Sequence, residues 1–166
     1  MQPHQKHYRI KMKQHGWMDE SDNLLWPKDA TGRRKMARAM FGIGLVSNVD
    51  YWLLLADDEL EGTYDAPWAS ADRPALPGKD ERRQMLKTLS AEQRLAVREL
   101  LRHTVKGQLY SFCIGLDQGG ATISVPSPDE QPERLEIHSP EQDELHCEQN
   151  QWLKDFSILF GKDERY

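Results

Sequence analysis

The stretch LSAEQRLAVRELLRHTVKGQLYSFCIGLDQGG, residues 89–120, constrains the fold more than any other. Ser90 offers a side-chain oxygen to the first free N–H groups of a helix, and Gln93 stands three residues on, the spacing of a capping box. Leu89, Ala96, Val97, Leu100, Leu101 and Val105 then follow the 3.6-residue period. Beyond Gly107, Leu109, Phe112, Cys113 and Leu116 repeat at i, i+3, i+4 and i+7 until Gly119 and Gly120 stop the pattern. A helical hairpin and a single kinked helix both fit. Either way this stripe is expected at the centre of the core, and truncating Leu100 or Phe112 to Ala is expected to cost about 2–5 kcal/mol.

The remaining segments arrange themselves around it. YRIKMK (Tyr8–Lys13) alternates apolar and basic residues, which predicts a half-buried edge strand with Arg9, Lys11 and Lys13 on its outer face. Residues 14–28 read as loop. A helix is expected from Thr31, with Met36/Met40 and Ala37/Phe41 at i, i+4, ending at Gly42 and Gly44. VSNVDYWLLLADDELEG then reads as a second helix capped by Ser47, with a strand at Tyr51–Ala56 as the competing reading, because Asp57, Asp58, Glu59 and Glu61 would crowd the negative end of the helix dipole. Residues 62–80 carry three prolines and two glycines and predict a long loop bearing Tyr64 and Trp68. ATISV and RLEIH alternate with period two and predict a hairpin over 121–138, joined by Tyr8–Lys13 as a candidate third strand. Ser139, Pro140 and Gln142 open a last helix carried by Leu145, Trp152, Leu153 and Phe156. The fold class expected is α+β: a mainly helical single domain over 1–166 with a small antiparallel sheet.

Size and charge bound the function. A chain of 166 residues suits one domain with a real core. Its longest apolar run, Tyr51–Ala56, is far below the roughly 20 residues that span a bilayer, and the basic N-terminus lacks the apolar stretch of a secretory signal. Two cysteines make no disulfide scaffold, so a reducing cytoplasm is expected and no membrane. The net charge of −5 is unevenly spread: +5 over 1–41, −6 over 42–80, +4 over 81–110 and −8 over 111–166. An acidic last third repels nucleic acid and favours a basic protein partner.

Catalytic signatures are absent: no C-x-x-C, no H-E-x-x-H, no G-x-S-x-G and no phosphate loop. Gly42 and Gly44 in GIGLVS follow a helical pattern instead of a strand, which argues against a dinucleotide fingerprint. Cys113 shares the apolar stripe and reads as a small core hydrophobe. The acidic run Asp57-Asp58-Glu59 with Glu61 is the best divalent-cation candidate, since hard cations want clustered carboxylates, but it lacks the order of a calcium loop and reads better as a solvated face. ELHC (Glu144–Cys147) holds metal-ligating side chains; on a helix they are expected to disperse, on a strand to converge. No cofactor is therefore expected, and an enzyme is the less favoured reading.

LSAEQRLAVRELL, then LYSFCIGLD, a short strand pair and ELHCEQNQWLKDF resemble the layout of small bacterial immunity proteins that partner toxins, over residues 85–160. The resemblance implies a cytosolic protein without chemistry of its own that neutralises a toxin by contact. The partner-binding residues expected are Tyr64 and Trp68 in the loop and the acidic Asp57, Asp58, Glu59, Glu61, Glu144 and Glu148. A metal-dependent hydrolase using 57–61, or a structural subunit of a larger assembly, are the competing expectations.

Overall fold

The computed structural model describes residues 3–63, 78–119, 122–125, 133–136 and 144–160. Five helices account for most of them: α1 Pro3–Gln14, α2 Ala30–Glu61, α3 Lys79–Lys87, α4 Ala91–Gly119 and α5 Leu145–Phe156. The chain divides into two compact units, 1–50 with 107–166, and 51–106.

In the first unit, α1 lies against α5. Its core is Tyr8 and Met12 of α1, Met36, Ala37, Val46 and Val49 of α2, Leu109 and Cys113 of α4, and Leu145, Trp152, Leu153 and Phe156 of α5. At its centre Asp50 is 1% exposed. Its carboxylate accepts the Tyr8 hydroxyl at 3.0 Å, the Ser157 hydroxyl at 2.5 Å and the Ile158 N–H at 3.0 Å. A buried carboxylate is tolerable only with such partners, and here they tie α1, α2 and the end of α5 together. Burial and the neighbouring Asp50 charge push the Tyr8 phenol well above its ordinary value, so it stays a donor.

The edge strand expected at 8–13 is helix α1. Periods of 2 and 3.6 both place Tyr8 and Met12 on one side; Ile10 separates them, and it is 46% exposed, as a helix requires. The basic face is occupied from within: Asp22 accepts Arg9 and, at 3.0 Å, Lys13. β-pairing among the described residues is limited to an isolated bridge between Met18 and Leu24 and to β1 Thr122–Val125 paired antiparallel with β2 Glu133–Glu136, with Thr122 opposite Glu136. Two four-residue strands are too little to organise a domain, and among the described residues no third strand joins them. The α+β expectation, with its small sheet over 121–138 and 8–13, is therefore corrected to a helical fold.

Gly42 and Gly44 do not end a helix, and α2 runs on through both to Glu61. A Cβ on Gly42 would sit 2.4 Å from the Trp152 ring, so this glycine marks the close approach of an indole. An 18-residue window of α2 has mean hydropathy 1.4, enough by length and composition to cross a membrane, and a third of it is buried within the fold.

The second unit contains the end of α2, α3 and the first half of α4. Leu53 and Leu60 are its buried apolar side chains among the described residues, whereas Tyr51, Trp52, Met85, Leu95 and Leu100 are exposed. The acidic end of α2, which argued for a strand, is compensated by α4. Asp57 and Glu61 at i, i+4 meet Arg94 and Arg98 at i, i+4: Arg98 binds Asp57 at 2.8 Å and also Glu61, and Arg94 reaches Glu61 at 3.4 Å. The capping box that starts α4 is reciprocal, with Gln93 N–H to Ser90 Oγ at 3.2 Å and Ser90 N–H to Gln93 Oε1 at 2.8 Å. Leu100 and Phe112, expected in the core, are 65% and 50% exposed. The inward stripe of α4 instead runs 97, 101, 105, 109, 113, 117, half-buried and then buried.

Candidate functional site

The inward stripe of α4 ends on a carboxylate. Asp117 is buried, and it accepts the Leu145 N–H at 2.9 Å and the His146 N–H at 3.0 Å. These are orphan donors of the first turn of α5. Glu144, at the N-cap, makes no side-chain cap bond, so Asp117 replaces a local cap. Burial pushes the Asp117 carboxyl up, but the two backbone donors and the His146 ring outweigh it and hold it below the usual carboxylate range.

The same carboxylate orients a histidine. Asp117 Oδ2 is 2.9 Å from His146 Nδ1, and Tyr110 meets the ring edge-on, with centroids 5.6 Å apart. An Nδ1–H held by a carboxylate leaves the Nε2 lone pair free. That Nε2 lies beside two further side-chain atoms, Glu144 Oε2 at 3.3 Å and Cys147 Sγ at 3.5 Å. All three ligand atoms lie within 4.8 Å of one another.

The helical reading of ELHC predicted dispersal, and the donor atoms converge. The projection treats all four residues as helical, but Glu144 has extended backbone, φ −68° and ψ 141°, and its carboxylate reaches the His146 ring. Asp117 was not singled out from sequence. Its signal is a carboxylate four residues past Cys113 on a buried stripe, where a charge requires a partner.

The acidic residues expected to bind a partner are largely engaged. Asp57 and Glu61 pair with Arg98, and Glu59 with Arg82 at 3.1 Å. The Arg98 hydrogen bond holds Glu61 below its ordinary value against desolvation. Asp58 accepts the Thr63 hydroxyl. Glu148 accepts both Arg38 Nε at 2.9 Å and Nη2 at 2.8 Å. A cation at 57–61 would have to displace guanidinium groups, which counts against a hydrolase built there. Tyr64 and Trp68 lie outside the described residues, as do Ser139, Pro140 and Gln142.

No family model, curated protein or solved structure matches the chain.

Of the two cysteines, Cys113 is buried and Cys147 exposed, and both are free. Burial pushes the Cys113 thiol up to about 11, as suits a core side chain.

Proposed function

We propose that the protein is a cytosolic, non-enzymatic interaction protein of the immunity or accessory type, which acts by binding a basic protein partner. The observation that carries this reading is the second unit. It buries two apolar side chains among those described and exposes five large ones, Tyr51, Trp52, Met85, Leu95 and Leu100. Exposed apolar groups of this size are what a partner interface uses as anchors, with aromatic and Met side chains over-represented. The arginine-paired acidic run gives the partner's charge less to grip, so these apolar groups supply affinity and the net charge of −5 supplies steering. Asp58 and Glu144, which no arginine takes up in the described structure, are the acidic contacts retained in this reading, with Tyr64 and Trp68 as further anchors. The two free thiols support the cytosolic setting.

Affinity purification of the full chain from native lysate tests it. A basic protein should co-purify, its yield falling with salt, and Trp52→Ser with Leu100→Ser should abolish capture while circular dichroism stays unchanged. Equal capture by the folded double variant refutes the apolar anchors. A partner insensitive both to salt and to charge reversal at Asp58 and Glu144 refutes the acidic component. A homo-oligomer as the only species formed replaces the reading with a structural subunit.

A further inference from the structure

We infer that Glu144, His146 and Cys147 form a binding site for Zn²⁺ at the start of α5, with Asp117 as the residue that positions the histidine. Zinc takes nitrogen and oxygen at about 2.0–2.2 Å and thiolate sulfur at about 2.3 Å, so tetrahedral ligands stand about 3.3–3.6 Å apart. Two edges of the donor triangle already have that length: 3.3 Å from Glu144 Oε2 to His146 Nε2, and 3.5 Å from Cys147 Sγ to His146 Nε2. The third is no longer than 4.8 Å, and it joins two exposed side chains that can close on an ion by rotation.

The surroundings distinguish this set from a chance grouping of polar residues. Metal-bound histidines commonly donate their second ring N–H to a carboxylate, which fixes the tautomer and raises ligand basicity. Asp117 does this here, and it is itself anchored by two backbone N–H groups. The arrangement of Cys147, His146 and Asp117 also resembles a nucleophile, base and orienter. Reactive cysteines, however, sit in electropositive surroundings, and the side chain that completes this cluster is the carboxylate of Glu144. A carboxylate oxygen and a sulfur gathered around one imidazole nitrogen make the kind of donor set a cation takes. Mixed oxygen, nitrogen and sulfur donors suit a borderline-soft ion and exclude Mg²⁺ and Ca²⁺, which want oxygen alone. Cys147 binds as thiolate, its proton passing to solvent. Three protein ligands leave the fourth position to water or to a donor from a bound molecule.

Isothermal titration calorimetry of the reduced full chain with Zn²⁺ tests the site, alongside Co²⁺ as a spectroscopic substitute. One ion per chain should bind, and the Co²⁺ complex should show thiolate-to-metal charge-transfer absorption. Cys147→Ser, an exposed substitution, should remove that absorption and weaken Zn²⁺ binding at least 100-fold with the helical content unchanged. His146→Gln should do the same, and Asp117→Asn should weaken binding about 10–100-fold. No Zn²⁺ binding overturns the inference, as does binding that survives both Cys147→Ser and His146→Gln, which would place the ion elsewhere. The apolar arm of the partner assay, Trp52 and Leu100, shares no residue with this site and has a different readout, so either reading can fail alone; Glu144 is the one residue common to both.

Discussion

Replacing Gly42 by Ala should destabilise the protein, although alanine is the better helix former. The methyl group would lie 2.4, 2.6 and 2.7 Å from Cδ2, Cγ and Cε2 of Trp152. Non-bonded carbons prefer about 3.5–4.0 Å, so the overlap is about 1 Å and falls on rigid ring atoms. The indole cannot easily swing away, because it is 5% exposed and Phe41 meets it edge-on with centroids 6.1 Å apart. Overpacking of this kind costs about 1–3 kcal/mol, and the rigid contact argues for the upper part of that range. Helix propensity returns about 1 kcal/mol, leaving a net loss of about 1–2 kcal/mol. Gly44 in the same helix is the control: a Cβ there meets nothing within 4 Å. Gly44→Ala should therefore stabilise by up to about 1 kcal/mol. Urea unfolding of both variants, followed by circular dichroism, measures the difference. Trp152→Leu should largely abolish the penalty of Gly42→Ala in a double-mutant cycle. A Gly42→Ala protein as stable as Gly44→Ala would refute the close packing of α2 against Trp152.

Other substitutions separate the core from the surface. Leu100→Ala should change stability by less than about 0.5 kcal/mol, because that side chain is 65% exposed, whereas Phe156→Ala should cost about 3–5 kcal/mol; denaturant midpoints in the opposite order would sink the assignment. The Asp117 carboxyl is held low in the folded state, so its contribution is complete above the ordinary carboxyl value of 3.8 and is lost as pH falls through the lower folded value. Asp117→Asn should lower stability at neutral pH by about 1–3 kcal/mol and flatten the acid limb of the stability profile; an unchanged acid limb would show that other carboxyl groups carry it. Brief alkylation of the native protein, read by peptide mass spectrometry, should label Cys147 and spare Cys113, which is 0% exposed; equal labelling would contradict the burial of α4.

Local signals were legible where they act locally. The capping box at Ser90 and Gln93 is a four-residue pattern, and both of its hydrogen bonds form. Tyr8–Lys13 was misread because one residue, Ile10, decides between the two periods, and an isolated isoleucine on a helix surface is common. The core face of α4 was misread because its apolar residues exceed one stripe: Leu100 and Phe112 are as hydrophobic as Leu101 and Leu109. The true face ends in Asp117, a residue that hydrophobic periodicity discounts. The donor cluster at 144–147 was illegible for a related reason. Its geometry depends on an N-cap and on a carboxylate 29 residues before the histidine it holds, and neither enters a helical projection. The second unit's arginine–carboxylate ladder joins residues 33 to 41 apart and was equally hidden.

The two best-defined helix starts differ in where their caps come from. α4 is capped by Ser90 and Gln93, residues adjacent to it, so its first turn can close as soon as that segment leaves the ribosome. α5 is closed by Asp117, 28 positions before the first N–H it receives, and closing that loop has an entropic cost a local cap avoids. The start of α5 is therefore expected to order late, once the end of α4 is in place. Bonds that form after the folding barrier should, when lost, speed unfolding more than they slow folding.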